Sequence, residues 1–275
     1  HELPEVESVT VHPAMTDAGL GVGAAFGSYA RRPEARSYPF AAARLEHVYL
    51  GPSWDESAMS AALRQAGLPV VRPDALEARV AELLAQGAIV ARYDGALEYG
   101  PRALGNRSIL YQATDASVND WLNKQLHRTE FMPFAPVTLA GDAGRCYRHL
   151  EGAEHTARFM TITFDCTEWM RREMPAVVHV DGTARPQLLD RDTNPAYYRI
   201  LEHYERLTGL NSIVNTSFNM HEEPIVCSPE DAVRGFMEAK LDYLAMGPFL
   251  AARNDEALQQ GDRARTARHS THDRA

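Results

Sequence analysis

Residues 88–110 read AIVARYDGALEYGPRALGNRSIL. The first six residues are mostly apolar and predict a short buried strand. A polar turn at 94–100 follows and ends in Gly100, and the remainder combines Pro101, Gly105 and two arginines. A buried strand that runs directly into a glycine-rich polar loop predicts a sheet with a binding loop at its edge.

Helices and strands alternate on both sides of this stretch. The apolar spacing predicts helices at 20–31, 55–66 (capped by Ser53), 76–86, 117–126, 195–208 and 229–239. Short apolar or β-branched runs predict strands at 6–12, 48–51, 88–93, 135–139, 158–164, 177–180, 212–214 and 243–246. This mixture indicates an α/β (α+β) fold with one mixed, twisted sheet flanked by helices.

The chain divides into three predicted parts. Residues 31–43, which carry two prolines and mixed charge, have the composition of a linker. We therefore expect a first part at 1–43, a main domain at 44–254 and a tail at 255–275. The tail is polar without an apolar face, so we expect it to be disordered.

Composition excludes some classes of protein. The formal net charge of −9 argues against a general nucleic-acid binder, whose affinity comes from neutralising phosphates. The three cysteines form no CxxC pair, which predicts no disulfide framework and favours a cytoplasmic protein. No apolar run reaches the roughly 20 residues that span a bilayer, so we expect no membrane partner.

The segment 98–110 carries the strongest chemical signal. Arg102 and Arg107 present planar cationic forks that suit carboxylate or phosphate oxygens, and glycines let the backbone approach an anion closely. Asn106 and Ser108 add neutral hydrogen-bonding groups. The alternative is a surface loop with two solvated arginines, but this combination favours an anion site in an enzyme of phosphorylated substrates.

Polar residues also follow the strand predicted at 212–214. They read NTSFN, and Asn215, Thr216, Ser217 and Asn219 are placed to bind a ligand's polar atoms at the end of a strand. A capped turn explains the same residues equally well.

Four further segments carry weaker signals of function. Arg185 and Gln187 in VDGTARPQ could reach a site or be solvated, and Arg128 in RTEFMPFAP could bind an anion or pair with Glu130. GLGVGAAFG at 19–27 contains a GxGxxA pattern, but it does not directly follow a strand, so we reject a dinucleotide-binding loop. Asp17 could cap a helix or hold a metal.

Several familiar motifs of enzymes are absent. The histidines are scattered, with no HExxH, and the sequence does not supply a complete metal site. It also has no GxSxG nucleophile elbow and no GxxxxGK[ST] phosphate loop.

Taken in order, EYGPRALGNRSIL, RTEFMPFAP, VDGTARPQ and NTSFNMHEEPIV are similar to the C-terminal part of the O-carbamoyltransferase family. That family includes nodulation-factor and antibiotic carbamoyltransferases, and the resemblance covers about 5–250. It implies a YrdC-like α/β domain, whose serine-x-asparagine signature is matched by Ser217 and Asn219. The stretch VTVHPAMTDAGLGVGAAFG resembles the end of the actin-like ATPase domain that precedes it in the family.

The resemblance also implies a mechanism. Carbamoyl phosphate and ATP, with Mg²⁺, would give a carbamoyl adenylate, and the carbamoyl group would pass to a hydroxyl acceptor. Three arginines would stabilise the developing charge, namely Arg102, Arg107 and Arg128. The substrate-binding residues would be Asn106, Ser108, Arg185, Asn215, Thr216, Ser217 and Asn219.

Two departures from the family pattern affect these expectations. The lysine of the Lys-x-Arg pair in YrdC-like domains is replaced by Leu126, although Lys124 is near. The family's iron is held by two histidines and an aspartate, and only Asp17 matches. The chain alone is therefore not expected to hold iron, and it would work with an upstream actin-like half or a separate subunit.

Two alternatives to the carbamoyltransferase hypothesis remain open. Assembly of the chain into a homodimer is a separate open possibility. The chain could be a YrdC-type nucleotide- or RNA-binding module allied to tRNA threonylcarbamoylation, or an inactive fragment. The acidic net charge and the segments around Arg128 and Arg185 favour the carbamoyltransferase.

Overall fold

The computed structural model describes residues 2–32, 45–127, 134–254, 256 and 258. Within them, ten strands are assigned: β1 (Val70–Val71), β2 (Val90–Tyr93), β3 (Arg107–Gln112), β4 (Ala135–Leu139), β5 (Phe164–Asp165), β6 (Thr183–Ala184), β7 (Gln187–Leu189), β8 (Ser212–Ser217), β9 (Tyr243–Met246) and β10 (Phe249–Ala252). The α-helices of the same residues are α1 (Asp17–Ala30), α2 (Glu56–Gln65), α3 (Leu76–Ala85), α4 (Val118–Gln125), α5 (Glu154–Ala157), α6 (Glu168–Glu173), α7 (Pro195–Thr208) and α8 (Pro229–Glu238).

Eight of these strands form one mixed sheet in the order β1-β10-β9-β2-β3-β8-β4-β7. Neighbours are antiparallel except for two parallel pairs, β2 with β9 and β4 with β7. The remaining two strands, β5 and β6, form a separate antiparallel pair. Helices cover both faces: α3 and α7 share one apolar core with the sheet, and α2, α4 and α8 share the other.

The ends of the helices follow local chemistry. Asn194 caps α7 by accepting the Tyr197 N–H, Pro195 begins the helix and Gly209 ends it with a left-handed backbone. In α8, Ser228 and Asp231 form a reciprocal capping box. These end signals are the reason that the predicted bounds of both helices agree with the structure.

The predicted mixed α/β class and main sheet are confirmed. All six predicted helices are present, and Asp55 rather than Ser53 caps α2. The strands predicted at 88–93, 135–139, 212–214 and 243–246 are confirmed, with ends that differ by up to three residues. The structure adds β3 inside the stretch interpreted as a loop, and β8 continues to Ser217, so Asn215 and Thr216 lie within a strand rather than after it.

Four predicted strands are absent or reduced to an isolated bridge or a single strand residue. Residues 6–12 are extended but pair with no strand, because their backbone bonds go to Gly152 and to the side chain of Thr156. The stretch at 48–51 makes only an isolated bridge between Tyr49 and Glu98. Within 158–164 only Phe164 enters a strand, and 177–180 follows a 3₁₀ turn at Pro175–Val177.

Other expectations lie outside the described residues. These are residues 33–43 of the linker predicted at 31–43, nearly all of the tail, and 128–133, which includes Arg128. In the part of the chain that is described, no helix has the length and apolar character needed to cross a bilayer. The three cysteines are free thiols.

Candidate functional site

The connection between β2 and β3 is organised around the carboxylate of Glu98, which is only 6% exposed. Its Oε1 accepts three backbone N–H groups, from Leu104 at 2.8 Å, Asn106 at 2.7 Å and Arg107 at 3.2 Å. The N–H of Gly105 donates to the Ser108 hydroxyl at 2.9 Å. Four consecutive backbone donors are therefore satisfied inside the chain, and the anion that the loop backbone binds is its own Glu98 carboxylate.

The guanidinium of Arg107 donates its hydrogen bonds to carbonyls of the loop itself. Arg107 is fully buried, and it donates to the carbonyls of Asp94 at 2.7 Å, Asn106 at 2.9 Å and Gly95 at 3.1 Å. Its Cζ lies 3.7 Å from the centre of the Tyr93 ring. Burial lowers its pKa, and the nearby charge of Glu98 opposes this. A direct contact between Arg107 and a ligand anion, which remains a prediction, would require these bonds to be replaced.

Arg92 is a second buried cation below the loop. It donates to the Gly105 carbonyl at 2.5 Å, to Asn106 Oδ1 at 2.9 Å and to Asp94 Oδ2 at 2.7 Å. Asn106 Oδ1 also accepts from Asn194 Nδ2 at 2.9 Å, and Asn106 Nδ2 donates to the Ala96 carbonyl. The side chain of Asn106 thus joins the loop to the start of α7.

Asn215 and Gln187 hold the other side of the loop. Asn215 Nδ2 donates to Gln187 Oε1 at 2.8 Å and to the Ala103 carbonyl at 3.3 Å. Gln187 Nε2 donates to the Leu104 carbonyl at 2.8 Å. The Oδ1 atom of Asn215 is buried and has no hydrogen-bond partner among the described residues. An unused acceptor therefore lies beside the loop residue that follows Arg102.

The hydroxyls of the predicted site lie on two opposed strands. Ser108 faces Ser217 across β3 and β8, and Thr216 pairs with Ile109 in the same register. The Ser217 hydroxyl donates to Asn219 Oδ1 at 2.6 Å, and Asn219 Nδ2 donates to the Glu223 carbonyl at 2.8 Å. The structure brings Ser108, Asn215 and Ser217 to one end of the sheet, whereas Asn219 shapes the turn after β8.

Arg102 and Arg185 are half-buried arginines of the predicted site, and both lie within the described residues. Neither forms an ion pair there, and Arg102 Nε is buried without a partner. Arg185 donates once, to the Met160 carbonyl at 3.1 Å. Burial, together with the charge of Arg102, lowers the pKa of Arg185 to about 10, and burial lowers the pKa of Arg102 as well. A bound anion would favour the charged form of both guanidinium groups, so anion binding by Arg102 and Arg185 stays a prediction.

The residues do not fit an iron site. Asp17 is exposed at the first position of α1. No cluster of three or more His, Cys, Asp or Glu side chains suited to a metal ion occurs among the described residues. We therefore derive no step through iron. Arg128, the third predicted catalytic arginine, lies outside the described residues.

The N-terminal segment contacts the outer side of the loop. The ring of His12 meets that of Tyr99 edge to face, with 5.9 Å between centres. Gly100 has a φ of +114°, and a Cβ there would lie 3.1 Å from the Pro13 carbonyl oxygen. Glycine is thus required at position 100 by both backbone conformation and close packing.

Sequence reasoning missed Glu98, Arg92, Asn194 and Tyr197 as parts of the site. Glu98 had a usable signal, because it is a lone acid between apolar Leu97 and a glycine–proline turn. Asn194 was not singled out in the sequence, and the structure shows it as the N-cap of α7. Its contact with Asn106, 88 residues away, has no local sequence signal.

Comparison with known proteins places the chain in a family. Residues 81–253 match the family model described as "Carbamoyltransferase C-terminus". The chain is 37% identical over 259 residues to the nodulation protein NolO of Bradyrhizobium diazoefficiens, covering 92% of this chain and 46% of that protein. It is 29% identical over 233 residues to 3'-hydroxymethylcephem-O-carbamoyltransferase of Streptomyces clavuligerus, covering 85% and 42%.

Among solved structures, full-length HypF in the phosphate- and nucleotide-bound form aligns with a TM-score of 0.45 and 18% identity. That alignment covers 90% of this chain and 29% of the HypF chain, and a likeness this low carries no conclusion about the site. The chain spans less than half the length of the two curated relatives named above. The family match covers most of the chain, including the loop built around Glu98, and the chain therefore belongs to the carbamoyltransferase family.

Proposed function

We propose that this chain carries the ATP-dependent activation step of an O-carbamoyltransferase. Water would hydrolyse carbamoyl phosphate to carbamate and phosphate, and a carbamate oxygen would then attack the α-phosphorus of ATP. The new bond joins the carbamate oxygen to phosphorus, the bond to the β-phosphate oxygen breaks, and pyrophosphate leaves. The product is a carbamoyl adenylate; an acceptor hydroxyl oxygen would attack its carbamoyl carbon, the bond to the phosphate oxygen would break, and AMP and the hydroxyl proton would leave.

The observation that carries the proposal is the pair formed by Arg102 and Arg185. Both guanidinium groups are half-buried, and neither has a carboxylate partner among the described residues. Oxygens of carbamoyl phosphate or ATP would supply the missing negative charge. Fixed cationic donors of this kind stabilise charge that develops during transfer, since they need no reorganisation.

A second feature supports a carbamoyl ligand in particular. The carbamoyl group carries an NH₂ donor beside its oxygens, and Asn215 Oδ1 is a buried acceptor with no partner among the described residues. Asn215 holds the Ala103 carbonyl, next to Arg102 in the chain. The site would therefore offer an acceptor for the NH₂ group and cations for the phosphate.

The remaining components are also part of the proposal. Mg²⁺ would arrive with the phosphates of ATP, and the reaction would take place in the cytoplasm without nucleic acid or membrane. The acceptor is proposed to be a small-molecule hydroxyl, in keeping with the O-carbamoyltransferase name of the Streptomyces relative. Completion of the transfer is proposed to need an actin-like part, in the same protein or in a separate subunit.

Pyrophosphate release tests the activation step without an acceptor. The purified chain is incubated with ATP, Mg²⁺ and carbamoyl phosphate, alongside Arg102→Ala and Arg185→Ala. Each substitution is expected to slow release by about 10²–10³. The exposed Arg148→Ala is the matched control and should release pyrophosphate at the wild-type rate. No carbamoyl-phosphate-dependent release, or equal rates in all four proteins, would disprove the proposal.

A further inference from the structure

Glu98 lies at the centre of the loop but has no place in the chemistry proposed above. It is an anion buried beside an anion site, where a second negative charge would repel the ligand. Its position nevertheless shows what it does. One oxygen accepts the N–H groups of Leu104, Asn106 and Arg107, so three points of the loop converge on a single atom.

The glycines explain why a carboxylate fits there. Gly100 and Gly105 have φ values of +114° and +117°, and this backbone turns successive N–H groups inward. Such a concave set of donors also binds phosphate oxygens in other proteins. With Glu98 in place, these donors are not available to a ligand.

The rest of the loop then has a defined position. The carbonyls of Gly105 and Leu104 accept from Arg92 and Gln187, on opposite sides of the connection. Arg102 lies between Glu98 and Leu104 in the chain, so the closure at Glu98 sets the path of the backbone that carries it. The guanidinium of Arg102 makes no bond of its own among the described residues.

We propose that Glu98 is a positioning residue: its carboxylate occupies the concave set of loop N–H groups, keeps phosphate out of it, and directs anion binding to Arg102 and Arg185. This inference rests on the proposed function for the identity of the anion. The closure of the loop by Glu98 does not depend on which anion binds.

Three variants of Glu98 distinguish the effect of its acceptor oxygen from the effect of its negative charge. Glu98→Gln keeps an oxygen that can accept the same three N–H groups, Glu98→Asp withdraws the acceptor by one methylene, and Glu98→Ala removes it. Calorimetric titration with carbamoyl phosphate measures the anion site. Hydrogen exchange of the N–H groups of Leu104, Asn106 and Arg107 measures the loop. The exposed Glu151→Gln is the control for loss of one carboxylate.

We expect Glu98→Ala and Glu98→Asp to bind carbamoyl phosphate roughly 10–100-fold more weakly, because Arg102 is misplaced. Glu98→Gln should stay within about threefold of wild type, because the acceptor oxygen remains. Loop N–H protection should be lost in the first two variants and kept in Glu98→Gln. If Glu98→Ala does not fold, the comparison of Asp with Gln provides the same test.

Chemical rescue distinguishes positioning from a merely structural role. Formate added to Glu98→Ala should enter the vacated set of donors, restore loop protection and recover carbamoyl phosphate affinity. It should change neither quantity in wild type. Unchanged affinity and protection in Glu98→Ala and Glu98→Asp, or equal losses in Glu98→Gln and Glu98→Ala without rescue, would overturn the inference. If wild type binds no carbamoyl phosphate, the proposed function fails, and loop protection alone then decides whether Glu98 closes the loop.

Discussion

Arg102 and Arg107 are five residues apart and chemically identical, yet their surroundings differ completely. Arg107 begins β3, and its guanidinium is directed to loop carbonyls and the Tyr93 ring. Arg102 precedes the strand and finds no partner within the described residues. The difference arises because strand pairing fixes the direction of the Arg107 side chain, whereas Arg102 lies in the connection before the strand.

Arg102 and Arg185 form no ion pair among the described residues, so anion binding there should be measurable as a gain in the free energy of unfolding. Saturation of the wild-type protein with pyrophosphate at about 100 times its Kd should raise the free energy of unfolding by about 2.7 kcal/mol. Arg102→Gln and Arg185→Gln should lose most of this gain. Without anion, either variant should be at least as stable as wild type, because the repulsion between two half-buried cations is relieved. Urea unfolding with and without pyrophosphate tests both expectations, and an undiminished gain in the two variants would contradict them.

Glu98 should leave a signature in the pH dependence of stability. Burial raises its pKa above the ordinary value, against the opposing effect of the loop N–H groups and Arg107. The folded state then holds the proton more tightly than the unfolded chain. The stability from this group is therefore fully present below the unfolded pKa of about 4.3 and is lost as pH rises through the folded pKa.

Glu98→Gln removes this titration. Relative to wild type, the free energy of unfolding of the variant should increase as the pH is raised from 4 towards 8. Urea unfolding at several pH values checks the trend, with Glu151→Gln as the control. A difference that stays constant or changes in the opposite direction would show that the pKa of Glu98 is not raised.

The β2–β3 connection depends on glycine at defined points. Gly105 has a φ of +117°, and a Cβ there would lie 2.3 Å from Cδ1 of Tyr197. Neither the backbone conformation nor the packing against α7 leaves room for a side chain. Close contact of this connection with α7 therefore couples the site to the core.

Gly105→Ala should destabilise the protein by about 3 kcal/mol, from backbone strain and overpacking together. Gly209→Ala is the matched control, because Gly209 also has a positive φ but no atom lies within 4 Å of its Cβ position. That substitution should cost only about 1 kcal/mol. Thermal and urea unfolding of both variants measure the difference, and equal losses would show that the Tyr197 contact is unimportant.

The order of the strands assembles the site from distant parts of the chain. β3 lies between β2 and β8, and this brings residues near 106 and 216 to the same end of the sheet. The N-terminal segment contacts the loop at Tyr99 and Gly100, and two hydrogen bonds attach the same segment to Thr156. The Thr156 hydroxyl donates to the Val9 carbonyl at 2.8 Å and lies 3.3 Å from the Val11 nitrogen.

Thr156→Val should loosen this attachment. The loss of a buried hydroxyl with two partners should lower stability by about 1 kcal/mol and increase hydrogen exchange around Tyr99 and Gly100. The exposed Thr10→Val, in the same segment, should change neither quantity. Mass-spectrometric hydrogen exchange checks the result, and unchanged exchange near Gly100 in Thr156→Val would show that the segment does not support the loop.

Local sequence was sufficient for much of the fold. The helical spacing of apolar and aromatic residues predicted α7, and its ends at Asn194, Pro195 and Gly209 follow effects that act within a few residues of the chain. The motif 98–110 also stands out in the sequence as a candidate anion site, which stays a prediction. Predictions of strands were wrong more often, as at 6–12 and 177–180. A strand must pair with another segment of the chain, and its own sequence does not specify which.

The arrangement inside the site was settled only by tertiary contacts. Asn106 meets Asn194 across 88 residues, and Gln187 meets the Leu104 carbonyl across 83. Such partners decide which polar groups are satisfied and which remain available, and no local pattern encodes them. The sequence by itself therefore identified the arginines and amides of this protein. The packed sheet determined that Arg107 is enclosed, that the Glu98 carboxylate accepts the loop N–H groups, and that Arg102 and Arg185 form no ion pair among the described residues.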